Sequence, residues 1–246
     1  METLDSIKIR DIEVEVYQSK TGYRFSLDAL LLADFPDMKA CRNILELGAG
    51  SGVVSLLLAK RYPKAKVLGV ELQEGLFKRA VRNAEHNGLA DRVGFTHADL
   101  KSLSKRMPLE SFDLVVTNPP FRSPGTGKIS PGDERAAARH ETTAGMRDIL
   151  KTASSMLKNK GRLCTIYHPE RLAELFTRMR ENQLEPKRLK TIHSTKADDA
   201  RMAVVEAVKN GSSGLKVLPP LFVYESERVY TPEMREFYGL PALTLP

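Results

Sequence analysis

Ile44-Leu45-Glu46-Leu47-Gly48-Ala49-Gly50-Ser51-Gly52 sets the architecture of this chain. A short apolar strand, interrupted by Glu46, runs straight into a turn built on Gly48, Gly50 and Gly52. Val53 to Tyr62 then reads as a helix that Pro63 ends. Strand, glycine-rich turn and helix form the opening of an α/β unit that binds a nucleotide or nucleoside at the helix start. The glycines permit a sharp turn and close approach of a ligand to the backbone. The spacing G-x-G-x-G departs from the G-x-G-x-x-G of dinucleotide sites, and no Lys-Ser/Thr follows as in a phosphate-binding loop. An uncharged nucleoside therefore suits the turn better than a pyrophosphate.

Downstream the alternation repeats. Lys66 to Val70 reads as a second strand ending in Glu71, whose two carboxylate oxygens can accept from both hydroxyls of a ribose. The competing explanation is an acid placed by the dipole of the next helix. That helix, Gln73 to His86, is closed by Asn87-Gly88. Arg92 to Thr96 is a third strand, followed by Asp99 and Leu100. Asp99 suits an adenine amine and Leu100 the face of the base, unless Asp99 is an ordinary loop aspartate. Phe112 to Val116 is a fourth strand, and Asn118-Pro119-Pro120-Phe121 follows it. The prolines remove two N–H donors and fix φ, and Asn118 is pushed out of helical space. Either this is a plain strand-to-loop turn, or it presents the Asn118 amide oxygen and a prolyl carbonyl side by side. Two fixed acceptors with a ring beside them suit a planar NH₂ group.

Around this centre, Ile7 to Ile9 and Ile12 to Val16 alternate apolar with polar residues, as in a hairpin turning at Arg10-Asp11. Ser26 is placed to cap a short helix, Leu27 to Asp34, that Pro36 stops. Residues 122–142 lack periodicity, and a loop of that length beside the Asn118 turn is a candidate substrate loop. Within it His140 reads as a structural or substrate-positioning residue, not a general base. Gly145 to Leu157 and Pro169 to Gln183 read as helices. Arg162 to Tyr167, Arg188 to His193 and Met202 to Lys209 read as strands. The expected fold is a Rossmann-like α/β domain over residues 1–246. It has a seven-stranded, mostly parallel sheet with helices on both faces and a short N-terminal β extension. Residues 1–36 form the hairpin and a covering segment, 37–210 the core, and 211–246 a tail packed on it.

Bulk properties narrow the function. The 246 residues are 41% hydrophobic and 28% charged, with a net charge of +7. Residues 151–201 hold twelve Lys and Arg against six acids, while residues 1–40 hold five against eight. A basic half suggests a polyanion such as RNA, against the alternative of a merely solvated surface. Lys187, Arg188, Lys190, Lys196 and Arg201 are the densest candidates for phosphate contact. No apolar run reaches the roughly 18–20 residues of a membrane span, and the charged start is not that of a signal peptide. Cys41 and Cys164 lack metal-ligand spacing and read as reduced and structural. No metal and no membrane partner are expected, and the compartment is expected to be the cytoplasm.

Leu45 to Gly52 with Asn118 to Phe121, in this order, resembles the S-adenosylmethionine-dependent methyltransferases that act on an exocyclic or amide nitrogen. Gly22 to Ala33, Ala138-Arg139-His140-Glu141 and Arg201 to Lys209 are similar to the bacterial tRNA adenine-N6 methyltransferases that modify the adenosine 3′ of the anticodon in a valine tRNA. That family usually carries Tyr at the position of Phe121, and stacking survives the change. The resemblance implies S-adenosylmethionine as cofactor, S-adenosylhomocysteine as product, and a tRNA substrate bound by a monomer or homodimer. It implies that Gly48, Ala49, Gly50 and Gly52 line the methionine side of the cofactor, with Glu46 also among the cofactor-binding residues. Glu71 with Leu72 would hold the ribose, and Asp99 with Leu100 the adenine. Tyr23, Phe25, Ser26 and Asp28 would cover the cofactor, and Asn118 would face both ligands. Asn118, Pro119, Pro120 and Phe121 would act on the substrate base, with Arg122, Lys128, Arg139 and His140 on the RNA around it. Alternatives are a protein glutamine-N5 methyltransferase, a ribosomal guanine-N2 methyltransferase, and an inactive cofactor-binding RNA chaperone.

Overall fold

The computed structural model describes residues 2–20, 24–119 and 145–241. Two strands, β1 (Glu2–Ile9) and β2 (Ile12–Ser19), form a separate antiparallel hairpin. It turns at Arg10-Asp11, with Arg10 at a φ of 50°. Helix α1 (Leu27–Asp34) follows, with Ser26 at its N-cap position but no capping hydrogen bond from the Ser26 side chain. The main sheet begins with β3 (Asn43–Leu47), α2 (Val53–Arg61), β4 (Lys66–Glu71), α3 (Glu74–His86) and β5 (Val93–His97). A short helix α4 (Leu103–Arg106) leads to β6 (Phe112–Thr117). Beyond come α5 (Met146–Met156), β7 (Leu157–Tyr167), α6 (Leu172–Glu181), β8 (Leu184–His193) and β9 (Ala200–Lys209).

The seven expected strands lie in the order β8-β9-β7-β6-β3-β4-β5, and β9 is antiparallel to both of its neighbours. The tail adds two more, β10 (Lys216–Val217) and β11 (Leu221–Phe222), each parallel to the outer edge of β8, so the sheet has nine strands. Pro219-Pro220 stands between them and has no N–H to give a ladder, which is why the edge strand comes in two pieces. A small hairpin of β12 (Tyr224–Ser226) and β13 (Val229–Tyr230) leads to α7 (Pro232–Phe237). Thr231 Oγ1 caps α7, accepting from Met234 N at 3.3 Å.

Alternation along the central strands sorts the core onto two faces. Ile44, Leu114, Val116 and Ile166 pack with α1, α2, the N-terminal hairpin and the tail. Leu45, Leu47, Val115 and Leu163 pack with α4, α5 and α6. Helix α2 is apolar all round because the sheet, β2 and α1 all cover it. Each of Leu56, Leu57 and Leu58, at most 1% exposed, contributes on the order of 2 kcal/mol of transfer free energy. Arg10 closes the molecule. Its N–H donates to the Phe237 carbonyl at 2.7 Å, and its guanidinium pairs with Asp34 and Glu236. Burial pushes the Asp34 carboxyl up, but bonds and charge from Arg10 and Arg61 outweigh it and hold the group below its ordinary value. Among the described residues no helix is long and apolar enough to cross a membrane.

Candidate active site

The strand register collects the expected residues on one edge. Leu47 lies opposite Val70 on one side and Thr117 on the other, and Glu71 lies opposite His97. Gly48, Glu71 and Asn118 are thus neighbours at the carboxyl ends of β3, β4 and β6. Chain order proceeds outward from β3 through β4 to β5, then returns to β6 on the other side. A crevice at such a reversal is where open α/β sheets bind ligands.

The glycine turn is shaped by its own bonds. Gly48 N and Ala49 N both donate to Val70 O at 2.9 Å, and Gly52 N donates to Ala49 O at 2.8 Å. Gly48, Gly50 and Gly52 all have positive φ. A Cβ on Gly48 would meet nothing within 4 Å, so the backbone there borders open space. A Cβ on Gly52 would come within 2.7 Å of Phe95 Cζ. Gly52 therefore serves packing and Gly48 serves access. Glu71 is 7% exposed. Its Oε2 accepts from Gly50 N at 2.7 Å and its Oε1 from Gln73 N at 2.9 Å. Each carboxylate oxygen can take a second bond, so the group both braces the turn and keeps acceptor capacity for a hydroxyl pair. Leu72 is half-buried beside it, and its carbonyl bonds the His97 ring at 2.7 Å. Asp99 starts a 3-10 turn, accepting from Lys101 N at 2.9 Å, and Leu100 packs on the second core.

Glu46 sits beneath the turn, 2% exposed, with Oε2 accepting from Ser55 N at 2.9 Å and from Ser55 Oγ. The sequence places it with the cofactor; the structure gives it the prior task of tying the glycine strand to α2. Burial raises its pKa to about 8. The folded chain thus keeps a proton that the unfolded chain releases near 4.5, so stability falls as pH rises between those values and levels off above. Glu46→Gln is expected to abolish this slope, worth on the order of 4 kcal/mol. Thermal unfolding of both proteins from pH 5 to 9 checks it; parallel curves would contradict the assignment.

At the end of β6, Thr117 Oγ1 donates to Leu47 O at 3.0 Å and locks the two strand ends together. The next residue, Asn118, is half-buried, and its Nδ2 donates to Asp28 Oδ2 at 2.9 Å. Its Oδ1 is buried and has no partner among the described residues. Pro119 is buried. A buried acceptor left without a partner costs roughly 1–3 kcal/mol. The carboxylate of Asp28 accepts also from Ser26 Oγ, so both of its oxygens are engaged inside the protein. Phe25 N donates to Gln18 Oε1 at 3.2 Å.

Several buried polar residues outside the expected motifs hold this arrangement. Asn83, fully buried, accepts from Tyr17 N at 2.8 Å and donates to Ser51 O at 2.9 Å, joining the hairpin to the glycine turn. It stands on the apolar stripe of α3 with Leu76, Ala80 and Ala84, a sequence signal that could have found it. Gln18, 1% exposed, also donates to Asp5 Oδ2 at 2.6 Å.

The basic candidates divide. Lys187 Nζ donates to Ser212 O and Ser213 O, Arg188 pairs with buried Glu206, and Lys190 pairs with Glu233. All three are thus engaged within the protein. Lys196 and Arg201 are exposed where β8 turns into β9. Tyr167, at the carboxyl end of β7, pairs with Ala203, so this turn flanks the crevice edge. Tyr23, Pro120, Phe121, Arg122, Lys128, Arg139 and His140 lie outside the described residues. Cys41 and Cys164 are buried free thiols, and among the described residues no group of His, Cys, Asp or Glu could hold a metal ion.

The chain is similar to known methyltransferases. The chain is 31% identical over 169 residues to the tRNA1(Val) (adenine(37)-N6)-methyltransferase of Porphyromonas gingivalis, covering 66% of each chain, just under two thirds. It is 26% identical over 231 residues to the enzyme of the same name from Flavobacterium johnsoniae, covering 92% of this chain and 97% of that one. Among solved structures, a predicted O-methyltransferase from Agrobacterium tumefaciens superposes with a TM-score of 0.69 at 24% identity, over 89% of this chain and 100% of that one. The family model described as a methyltransferase domain matches residues 39–218. With a family match over residues 39–218, most of its length, this chain belongs to the methyltransferase-domain family.

Proposed function

We propose that the protein methylates the exocyclic N6 of an adenosine in tRNA, using S-adenosylmethionine. The observation that carries this is the buried Asn118 Oδ1, without a hydrogen-bond partner among the described residues, at the strand end next to Gly48. The names of the Porphyromonas and Flavobacterium relatives support adenosine 37 of a valine tRNA as the target.

The residues present fit the cofactor. The open space at Gly48 admits its methionine part, Glu71 retains acceptors for its ribose, and the Asp99 carboxylate stands beyond β5 for its adenine. When bound, S-adenosylmethionine supplies a methyl group made electrophilic by the sulfonium. The protein's own part is to hold the accepting nitrogen. Asn118 Oδ1 accepts one N–H of the adenine amine and the Pro119 carbonyl accepts the other. Paired this way, the nitrogen is drawn toward sp³ geometry and its lone pair is aimed. Each acceptor is worth about 2–4 kcal/mol of barrier, by analogy with oxyanion-hole donors. No strong base is needed, because the proton can leave after the new bond has formed. Phe121, three residues on in sequence, offers a ring on which an unstacked base gains about 1–3 kcal/mol.

Lys196 and Arg201 are assigned to the RNA backbone. Charge reversal at both is expected to raise KM for tRNA and to flatten its salt dependence by roughly two phosphate contacts, leaving cofactor affinity intact. KM measured across a KCl series checks this, and an unaltered slope would remove both residues from the interface. A tritium-transfer assay against total tRNA, ribosomal RNA and release-factor protein tests the function itself. Label is expected in tRNA alone. Label in release factor would point to a glutamine amide, and label in ribosomal RNA to a guanine amine.

A further inference from the structure

The Asn118 side chain can act as an acceptor toward the crevice only if its amide is held one way round. Oxygen and nitrogen of a carboxamide have nearly the same shape, so packing alone does not choose between the two orientations. The neighbour on the inner side makes the choice. Asp28 lies in the first turn of α1, is 7% exposed, and places Oδ2 at 2.9 Å from Asn118 Nδ2. A carboxylate in that place can only accept. With the amide turned over, Asn118 Oδ1 would face Asp28 Oδ2, two acceptors at hydrogen-bond distance with no proton between them, and Nδ2 would point into the crevice. A donor there would meet the N–H groups of an amine and repel them. Asp28 is itself held, because Ser26 Oγ donates to its other oxygen and Ala29 N donates to Ser26 O at 3.1 Å. Helix dipole and first-turn N–H groups favour an anion at that position.

We propose that Asp28 is a positioning residue for methyl transfer: it fixes the orientation of the Asn118 amide so that Oδ1 faces the substrate nitrogen. The proposal rests on the assignment of Asn118 as the acceptor for that nitrogen. It moves Asp28 from the cofactor cover, where sequence resemblance puts it, to the support of the reacting group. It also makes the segment from Ser26 to Asp28 part of the catalytic geometry, although it lies 90 residues before Asn118.

The test uses the full chain with Asp28→Ala, Asn118→Asp and the exchanged pair Asp28→Asn/Asn118→Asp. Asp28→Ala is expected to lower kcat by about 10–100-fold, by analogy with the loss when the hydrogen-bonded support of a metal ligand is removed. KM for tRNA and the Kd of S-adenosylmethionine, by calorimetry, are expected to stay within about twofold, as for a loss felt only in the transition state. Asn118→Asp sets two carboxylates face to face and is expected to be the poorer enzyme. In the exchanged pair, the amide now at position 28 donates to the carboxylate now at position 118, whose other oxygen faces the crevice. Its kcat is expected to recover at least about tenfold over Asn118→Asp alone, as the restored pairing of two touching side chains. A side-chain readout stands apart from activity. In ¹⁵N-labelled protein, the Asn118 NH₂ resonances, assigned by their loss in Asn118→Ala, are expected to shift and exchange faster in Asp28→Ala. Unchanged kcat in Asp28→Ala, unchanged NH₂ resonances in that variant, or a folded exchanged pair no better than Asn118→Asp would each overturn the proposal. Wild-type protein inactive on every RNA would instead remove the assigned function, and the NH₂ resonances would still decide whether Asp28 orients the amide.

Discussion

Asn118→Ala is expected to lose roughly two to three orders of magnitude in turnover while still binding S-adenosylmethionine. The size follows from the barrier contribution of one preorganised hydrogen-bonding group in a water-poor site. The sparing of cofactor affinity follows from geometry. Gly48, Glu71 and Asp99 follow or end β3, β4 and β5, and their bonds to Val70, Gly50, Gln73 and Lys101 do not involve Asn118. Single-turnover rates with saturating cofactor, and calorimetric titration of the same variant, separate the two effects. Turnover within about threefold of wild type would end the role of Asn118 as acceptor.

The glycine turn gives the second large effect, divided between two positions that look alike in sequence. Gly52→Ala sets a Cβ at 2.7 Å from Phe95 Cζ and 3.2 Å from Ala80 Cβ, at a φ of +86°. Left-handed strain of about 1–2 kcal/mol and overpacking of about 1–3 kcal/mol both fall on the fold, so the loss is expected in Tm. Gly48→Ala suffers the strain at φ +76°, but its Cβ enters open space. It is expected to stay folded and to lose more than about tenfold in affinity for S-adenosylmethionine, a cost of more than about 1.4 kcal/mol. Thermal unfolding and calorimetry on both variants check the division. A Gly48→Ala protein with full affinity would place the cofactor elsewhere.

The placement of the candidate residues at strand ends is legible in the sequence, for local reasons. A strand, its glycine turn and its helix are continuous in sequence, so hydrophobic period and turn chemistry suffice to find Gly48, Gly50 and Gly52. Glu71, Asp99 and Asn118 each lie at or just past a strand end, and a parallel sheet necessarily gathers strand ends on one edge. What escaped was set by contacts between distant segments. The bond from Asn118 to Asp28 and the bridge by Asn83 between Tyr17 and Ser51 join parts of the chain that no local pattern relates. Charge density is silent on internal partners for a related reason. Lys187, Arg188 and Lys190 cluster in sequence, yet each has its partner in another segment: Ser212, Glu206 and Glu233. The tail was legible as apolar anchors, but its two short strands depend on the free edge of β8 and the interruption by Pro219-Pro220.

Nucleoside mass spectrometry of tRNA from cells lacking this protein, followed by treatment of that tRNA with purified protein and S-adenosylmethionine, tests the central claim most directly. N6-methyladenosine is expected to be missing from the mutant tRNA, and to reappear at a single adenosine on treatment with the wild-type protein but not with Asn118→Ala. An undiminished N6-methyladenosine content in the mutant cells, with no product formed on treatment, would contradict the assignment of the crevice to an adenine amine.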